Sequence, residues 1–471
     1  TGLVQIAREN SLLLLSDEHN PRYAAPYGHP MVRTPNMDRL ARAGTLYERA
    51  YCASPLCLPS RSALMAGRYV HELQTYSNCN LGLGFDYPTY GAVLAEQGVQ
   101  AVHIGKTHAY RRAEALGFSE MILPLDVEPP GDTNHRRRPL AIRPDALERA
   151  GGYGPHPRPF GPDPGVVDAA VAWIEERGAR LGRPWVLSVN INAPHFPHYT
   201  TQELWDLYPE GGDLPEHGLD CASAQHPYAR DLRRHFQTEA FGEADVRGLR
   251  RGYLGCITYV DGELGRLLDA LERAGLAETT NVIYGADHGE MLGKFGMWWK
   301  CSLYEDSVRV PLIAAGPDFT AGARVATPVS LLDAQAAIMR AVGAERPAHW
   351  RGAPLQDIAP QDPQRVVFAE YHGHGTRSGA YMIRRGDWKL IYVMEGPHQL
   401  FNLAHDPEEL ENLVDRRPEV LSALEAELRA ICDPEEENRR AHAFQDRQLA
   451  RLRGEPDIDM RLTDRDHEEG R

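Results

Sequence analysis

Short apolar runs that end abruptly in polar or charged residues recur along this chain. Ser11 to Ser16, Val99 to Gly105, Pro184 to Ile191 and Thr280 to Ala286 are of strand length and rich in aliphatic residues. That is the pattern of strands buried on both faces of a sheet. Between them lie stretches of helical period. Gly165 to Leu181 is one, and Asp245 to Ala274, with Tyr253, Ile257, Leu264 and Leu268 on its apolar face, is another. Val310 to Ile313 reads as a further strand and Leu331 to Val342 as a helix. Beyond a boundary near 360–364 the style changes. Val366 to Tyr371, Ala380 to Arg384 and Trp388 to Val393 read as antiparallel strands joined by turns such as Arg385-Gly386-Asp387, with a helix from Pro418 to Cys432.

The pattern predicts an open α/β domain over residues 1–363, a smaller α+β unit over 364–435 and a charged tail over 436–471. The tail reads as disordered or as an arm packed on another subunit of a homo-oligomer, a dimer or tetramer. Two stretches interrupt the alternation. Residues 124–164, rich in Pro, Gly, Arg and His and including Arg136-Arg137-Arg138, read as a loop over the sheet. Residues 200–244 read as a polar insertion with few core signals, of the kind that shapes a pocket.

Composition narrows the function. A net charge of −15 argues against nucleic acid and against an anionic membrane surface, so an anionic substrate would need a local basic site. Seven scattered cysteines look like an intracellular thiol set rather than a disulfide framework. No run reaches transmembrane length, and TGLVQIAREN lacks the pattern of a signal peptide, which together predict a cytoplasmic protein.

Candidate chemistry gathers at strand ends, where open α/β sheets place their ligands. Asp17-Glu18 follows the first apolar run; taken alone the pair reads first as a solvated loop, while two carboxylates crowded at a strand end favour a hard cation between them. Lys106-Thr107-His108 follows the second. A Lys and a His two apart in extended chain point the same way, which fits one gripped anion as well as it fits a surface pair. His195 lies between two prolines after the third run, rigidly aimed, and Asp287-His288-Gly289-Glu290 follows the fourth. Cys57-Leu58-Pro59-Ser60-Arg61 leads into a helix that Gly67 closes. It sets a cysteine just ahead of a helix N-terminus, with an arginine able to return to the same point.

The string Cys57-Leu58-Pro59-Ser60-Arg61, with Leu64 and Gly67-Arg68 behind it, resembles the signature of the type I sulfatases of the alkaline phosphatase superfamily. Ala66 stands where that signature usually has Thr. The other motifs follow in the family's order across residues 11 to 403, close to its arylsulfatase, phosphonate monoester hydrolase and choline sulfatase branch. Gly28-His29-Pro30, Trp298-Trp299-Lys300 with Tyr304-Glu305, and Leu400-Phe401-Asn402-Leu403 are among them.

The resemblance implies an alkaline-phosphatase-like doubly wound sheet, mostly parallel, with helices on both faces. It implies that Cys57 is oxidised to formylglycine by a formylglycine-generating enzyme, and that one divalent cation is bound, calcium first and manganese second. The ligands would be Asp17, Asp287, His288, residue 57 and Glu18, which replaces a commoner Asp. Arg61, Lys106, His108, His195 and Lys300 would be catalytic, with Asn78 and Thr107 as substrate contacts. His288, where many members have Asn, is more like the phosphonate hydrolase and choline sulfatase branch. The implied reaction is hydrolysis of a sulfate monoester. A phosphonate monoester or phosphodiester hydrolase on the same site, an unmodified Cys57 thiolate enzyme, and a non-catalytic anion binder remain alternatives.

Overall fold

The computed structural model describes residues 8–78, 82–84, 86–109, 113–125, 137–143 and 145–452. Its centre is an eight-stranded sheet. The strands are β1 (Asn10–Asp17), β2 (Gly44–Tyr47), β3 (Gln100–Lys106), β4 (Glu120–Leu125), β5 (Trp185–Pro194), β6 (Thr280–Ala286), β7 (Leu312–Ala315) and β8 (Ala323–Val325). They lie in the order β8-β2-β7-β6-β1-β5-β3-β4. The four apolar runs are the central strands, and β1, β3, β5 and β6 pair in parallel. Parallel pairing brings all four carboxyl ends to one edge, which gathers the motifs that follow them. β7 is antiparallel to β6 and to β2.

Helices cover both faces. On one side Leu12 and Leu14 of β1 pack with Val166, Ala170 and Trp173 of α2 (Asp163–Glu176) and with Val260, Leu264 and Leu267 of α4 (Glu243–Arg273). On the other, Leu13 and Leu15 join the core that holds Leu64 and Met65 of α1 (Cys57–Ala66) and Ile338 of α5 (Leu331–Ala341). Alternation along β1 therefore feeds two cores, the expected arrangement for a sheet between helical layers. A second sheet, β9 (Val366–Tyr371), β10 (Ala380–Arg385), β11 (Trp388–Val393) and β12 (Gln399–Asn402), is antiparallel throughout and packs on α6 (Pro418–Ile431).

One expectation gives way to the structure. The 200–244 stretch contributes core: α3 (Pro227–Phe236) buries Tyr228, Ala229, Leu232 and Phe236, a stripe at helical spacing set among basic residues. The charged segment begins as helix α7 (Pro434–Leu452), which seats Ala441 and Phe444 on Ala53, Ala63 and Val70 of the same chain. Residues 453–471 and Arg136 lie outside the described residues. His372 and His374, just past β9, are both buried. Among the described residues no helix is long and apolar enough to cross a membrane, and Cys52, Cys57, Cys221, Cys256, Cys301 and Cys432 are free thiols.

Candidate active site

α1 begins at Cys57 itself rather than just behind it, and every residue from Cys57 to Ala66 is buried. Leu56, its N-cap, has no side chain able to accept from the first turn. Asn78 fills that role from outside, its Oδ1 accepting the Leu58 N–H at 2.9 Å. At the far end Gly67, at φ 64°, closes the helix with its N–H on Ala63 O, a conformation that favours glycine. Ser60 Oγ donates to Asp287 O at 2.6 Å, tying the helix to the end of β6.

Four buried groups meet at the carboxyl edge: Asp17, Cys57, Asp287 and His288 each present a ligand atom within 4.8 Å of the others. Cys57 Sγ lies 3.1 Å from His288 Nε2 and 3.8 Å from Asp17 Oδ1. His288 Nε2 lies 3.4 Å from Asp17 Oδ1 and 3.6 Å from Asp287 Oδ1. The outer oxygens of both carboxylates are held by cations. Lys106 Nζ sits 2.7 Å from Asp17 Oδ2, and Arg61 donates through Nε to Asp287 Oδ2 at 2.8 Å and through Nη2 to Asp17 Oδ2 at 3.4 Å. Asp287 Oδ1 also accepts the backbone N–H groups of Glu18 and His288.

His288 Nδ1 faces Gly289 O at 3.0 Å, which makes it the donor and leaves the Nε2 lone pair turned toward two carboxylate oxygens. Acceptors facing acceptors in a buried site call for a proton or a cation between them. The electrostatics agree. Burial lowers the His288 pKa, but Asp287 and Cys57 outweigh it and lift the value to about 10. Burial and Cys57 raise that of Asp17, yet Lys106, His195 and His288 carry it well below the carboxylate range. Burial likewise opposes ionisation of Cys57, and Lys300, His288 and Lys106 outweigh it, so the unmodified thiol ionises more readily than an ordinary cysteine. Two carboxylates, an imidazole and the residue-57 side chain, each fixed by a second contact, are a donor set that fits a divalent cation.

Glu18 stands outside this four-membered group. At φ 70°, it turns its carboxylate to Lys300 Nζ at 3.1 Å and His195 Nε2 at 3.3 Å, and groups instead with Asp17 and His195. Burial lifts its pKa to about 8. Lys300 Nζ is 2.7 Å from His195 Nε2, so these two expected catalytic groups are in contact. His108, at φ 46°, is hydrogen-bonded to the Cys57 side chain. Thr107 is placed otherwise: its hydroxyl donates to Leu125 O on the neighbouring strand at 2.9 Å. His198 is turned to Leu249 O.

Residues outside the motifs complete the site. Asp163, at the start of α2 and fully buried, accepts the N–H of Asn192 at 2.8 Å and that of Ala193 at 2.7 Å. It thereby anchors the segment that presents His195. Nothing in the local sequence marks it beyond an acidic residue at a helix start. Glu18, His108, Trp299 and Cys301 all adopt positive φ, a conformational cost concentrated around the reacting centre.

Comparisons with known proteins agree with this geometry. Residues 9–344 match the family model described as Sulfatase, and residues 293–433 match N-sulphoglucosamine sulphohydrolase, C-terminal. The choline-sulfatase of Rhizobium meliloti (strain 1021) is 30% identical over 426 residues, 87% of this chain and 83% of that protein. Arylsulfatase K of Xenopus laevis is 26% identical over 473 residues, covering 94% and 86%. Among solved structures, the phosphonate monoester hydrolase of Agrobacterium radiobacter superposes with a TM-score of 0.73 at 21% identity, covering 90% of this chain and 95% of that one. The chain belongs to the sulfatase family of the alkaline phosphatase superfamily and is a hydrolase of sulfuric esters.

Proposed function

We propose that this protein hydrolyses sulfate monoesters of the arylsulfatase type through a formylglycine derived from Cys57, with one divalent cation held by Asp17, Asp287, His288 and residue 57. The observation that carries this reading is the meeting of Cys57 with two buried carboxylates and His288 on one side, and with Arg61, Lys106 and Lys300 on the other. When present, the hydrated aldehyde supplies the attacking oxygen, and the cation lowers its pKa and offsets charge on the sulfuryl group.

The chain's own residues do the rest. Arg61 and Lys106 fix the outer carboxylate oxygens and leave donor capacity for the sulfate oxygens. Lys300 Nζ, between Glu18 and His195, sits where charge grows on the leaving oxygen. His195 or Lys300 gives the departing alcohol its proton, the two being joined by donation from Lys300 Nζ to His195 Nε2. His108, on the Cys57 side chain, accepts a proton from the residue-57 hydroxyl as sulfate departs. Asn78 supports the start of the nucleophile helix.

A second reading, a phosphonate monoester or phosphodiester hydrolase, is favoured by His288 and by the fold shared with the phosphonate monoester hydrolase. The test is the ratio of kcat/KM for an aryl sulfate and an aryl phosphonate monoester with the same leaving group, on protein whose residue-57 conversion has been verified by peptide mass. A ratio favouring sulfate supports the first reading. A ratio favouring phosphonate replaces it with the second.

A further inference from the structure

Two aromatic rings border the catalytic pair, because Phe196 follows His195 and Trp299 precedes Lys300 in the chain. Their faces hold cations of the protein. The Arg149 guanidinium carbon lies 4.5 Å from the Phe196 ring centre and 5.3 Å from that of Trp299. Lys300 Nζ lies 5.2 Å from the same Phe196 ring. Phe236, edge-on to Trp299 at 5.1 Å, carries Arg143 at 5.8 Å. Arg143 and Arg149 converge on a single carboxylate, Asp145, whose side chain is 46% exposed.

A third arginine of this segment lies among the tyrosines that pack behind Cys301. Arg137 is wholly buried, and none of its three guanidinium nitrogens has an acceptor. Its neighbours include Tyr371 and Tyr228, the latter donating to Cys301 O at 2.8 Å. Burial, with Arg138 adding to it, pulls its pKa down to about 10 against the nearby tyrosines, which still leaves it charged at neutrality. A buried guanidinium with its donors unspent is built for an oxyanion, since planar pairs of N–H groups match carboxylate and sulfate oxygens. Quaternary ammonium groups are recognised by aromatic faces without competing cations. Here those faces are taken.

We infer that the alcohol portion of the substrate carries an oxyanion of its own, a carboxylate or a second sulfate, received by the arginines of residues 137–149, rather than a choline-like quaternary ammonium. The inference rests on the sulfatase reading above and makes Arg149 and Arg137 residues that determine specificity.

The test uses three aryl sulfates that differ only in the para group: carboxylate, trimethylammonium or nitro. Their kcat/KM values are measured on the wild type, Arg149→Met, Arg149→Lys and Arg137→Met, each normalised to the uncatalysed rate. The wild type should prefer the carboxylate over the trimethylammonium ester by roughly tenfold or more, the value of one well-placed ion pair. That ratio should collapse in Arg149→Met and Arg137→Met and be partly kept in Arg149→Lys. Wild-type preference for the trimethylammonium ester, or a ratio that both methionine variants leave unchanged, overturns the inference alone. Failure of the wild type to turn over the neutral nitro ester overturns the hydrolytic reading and this inference with it.

Discussion

Arg61 Nε and Asp287 Oδ2 stand 2.8 Å apart, and the bond joins the nucleophile helix to the end of a central strand. By occupying the outer oxygen, Arg61 leaves Oδ1 facing His288. Arg61→Lys keeps the charge but loses the planar fork, and kcat should fall about 10²–10³-fold with little change in stability. Arg61→Ala should in addition cost about 3 kcal/mol or more, because it strands two buried carboxylates. Steady-state kinetics and urea unfolding separate the two effects.

Cys57→Ala should abolish turnover while preserving the fold, since Cys57 is a small buried side chain at the edge of a core that does not depend on it. Residual activity at the wild-type level would sink the proposed mechanism. Chelation of divalent ions should remove activity and lower Tm together, both restored by adding metal, because a ligand bound only by the folded state stabilises it.

His195 and Lys300 share a contact at 2.7 Å, which sets side by side the two groups proposed to serve the leaving oxygen. His195→Ala should therefore cost about 10²–10⁴-fold with alkyl sulfates, which need the proton, and far less with nitrophenyl sulfate, which does not. Asp163→Ala should shift the leaving-group dependence in the same direction by a smaller amount, as it loosens the backbone that aims His195. An equal loss on both substrate classes would mark Asp163 as a folding residue only.

Glu370 links the two sheets' layers through His71 Nδ1 at 2.8 Å and His372 Nε2 at 2.9 Å, all three buried. Burial opposes its charge, but His71 and His372 hold its pKa well below the usual carboxylate value. Burial opposes protonation of His71, and Glu370 outweighs it, so the His71 pKa is raised. The Glu370 share of stability is present above its unfolded pKa and lost as pH falls through the depressed folded value. The His71 share is complete below its unfolded pKa and lost as pH rises through the raised one. Glu370→Gln should thus cost about 3 kcal/mol, most of it between about pH 4.5 and 6.5, read from Tm against pH.

The parts of the site that follow strands were legible, because an apolar run ending in a charge identifies both the element and the edge to which it delivers its side chain. Asp17, Lys106, His195 and Asp287 were found that way. Asp163 was not, since it acts on backbone 29 residues away and its own surroundings describe only a helix start. Nor were the partners of Glu18 foreseeable: the sequence places it beside Asp17, and a left-handed backbone then swings it from the carboxylate cluster to Lys300. The α3 core stripe was obscured by the basic residues between Tyr228, Leu232 and Phe236. Helix α7 hid for a related reason. Its apolar contacts are few, Ala441 and Phe444, and composition weighs them lightly against the charges around them.

Those two residues rest on Ala53, Ala63 and Val70, so the last described helix of the chain closes over the back of the nucleophile helix. On a ribosome, α7 emerges long after Cys57 has left the exit tunnel. The seat of Cys57 therefore stays unfinished until Ala441 and Phe444 have been made. The conversion proposed for residue 57 would have that interval in which to act.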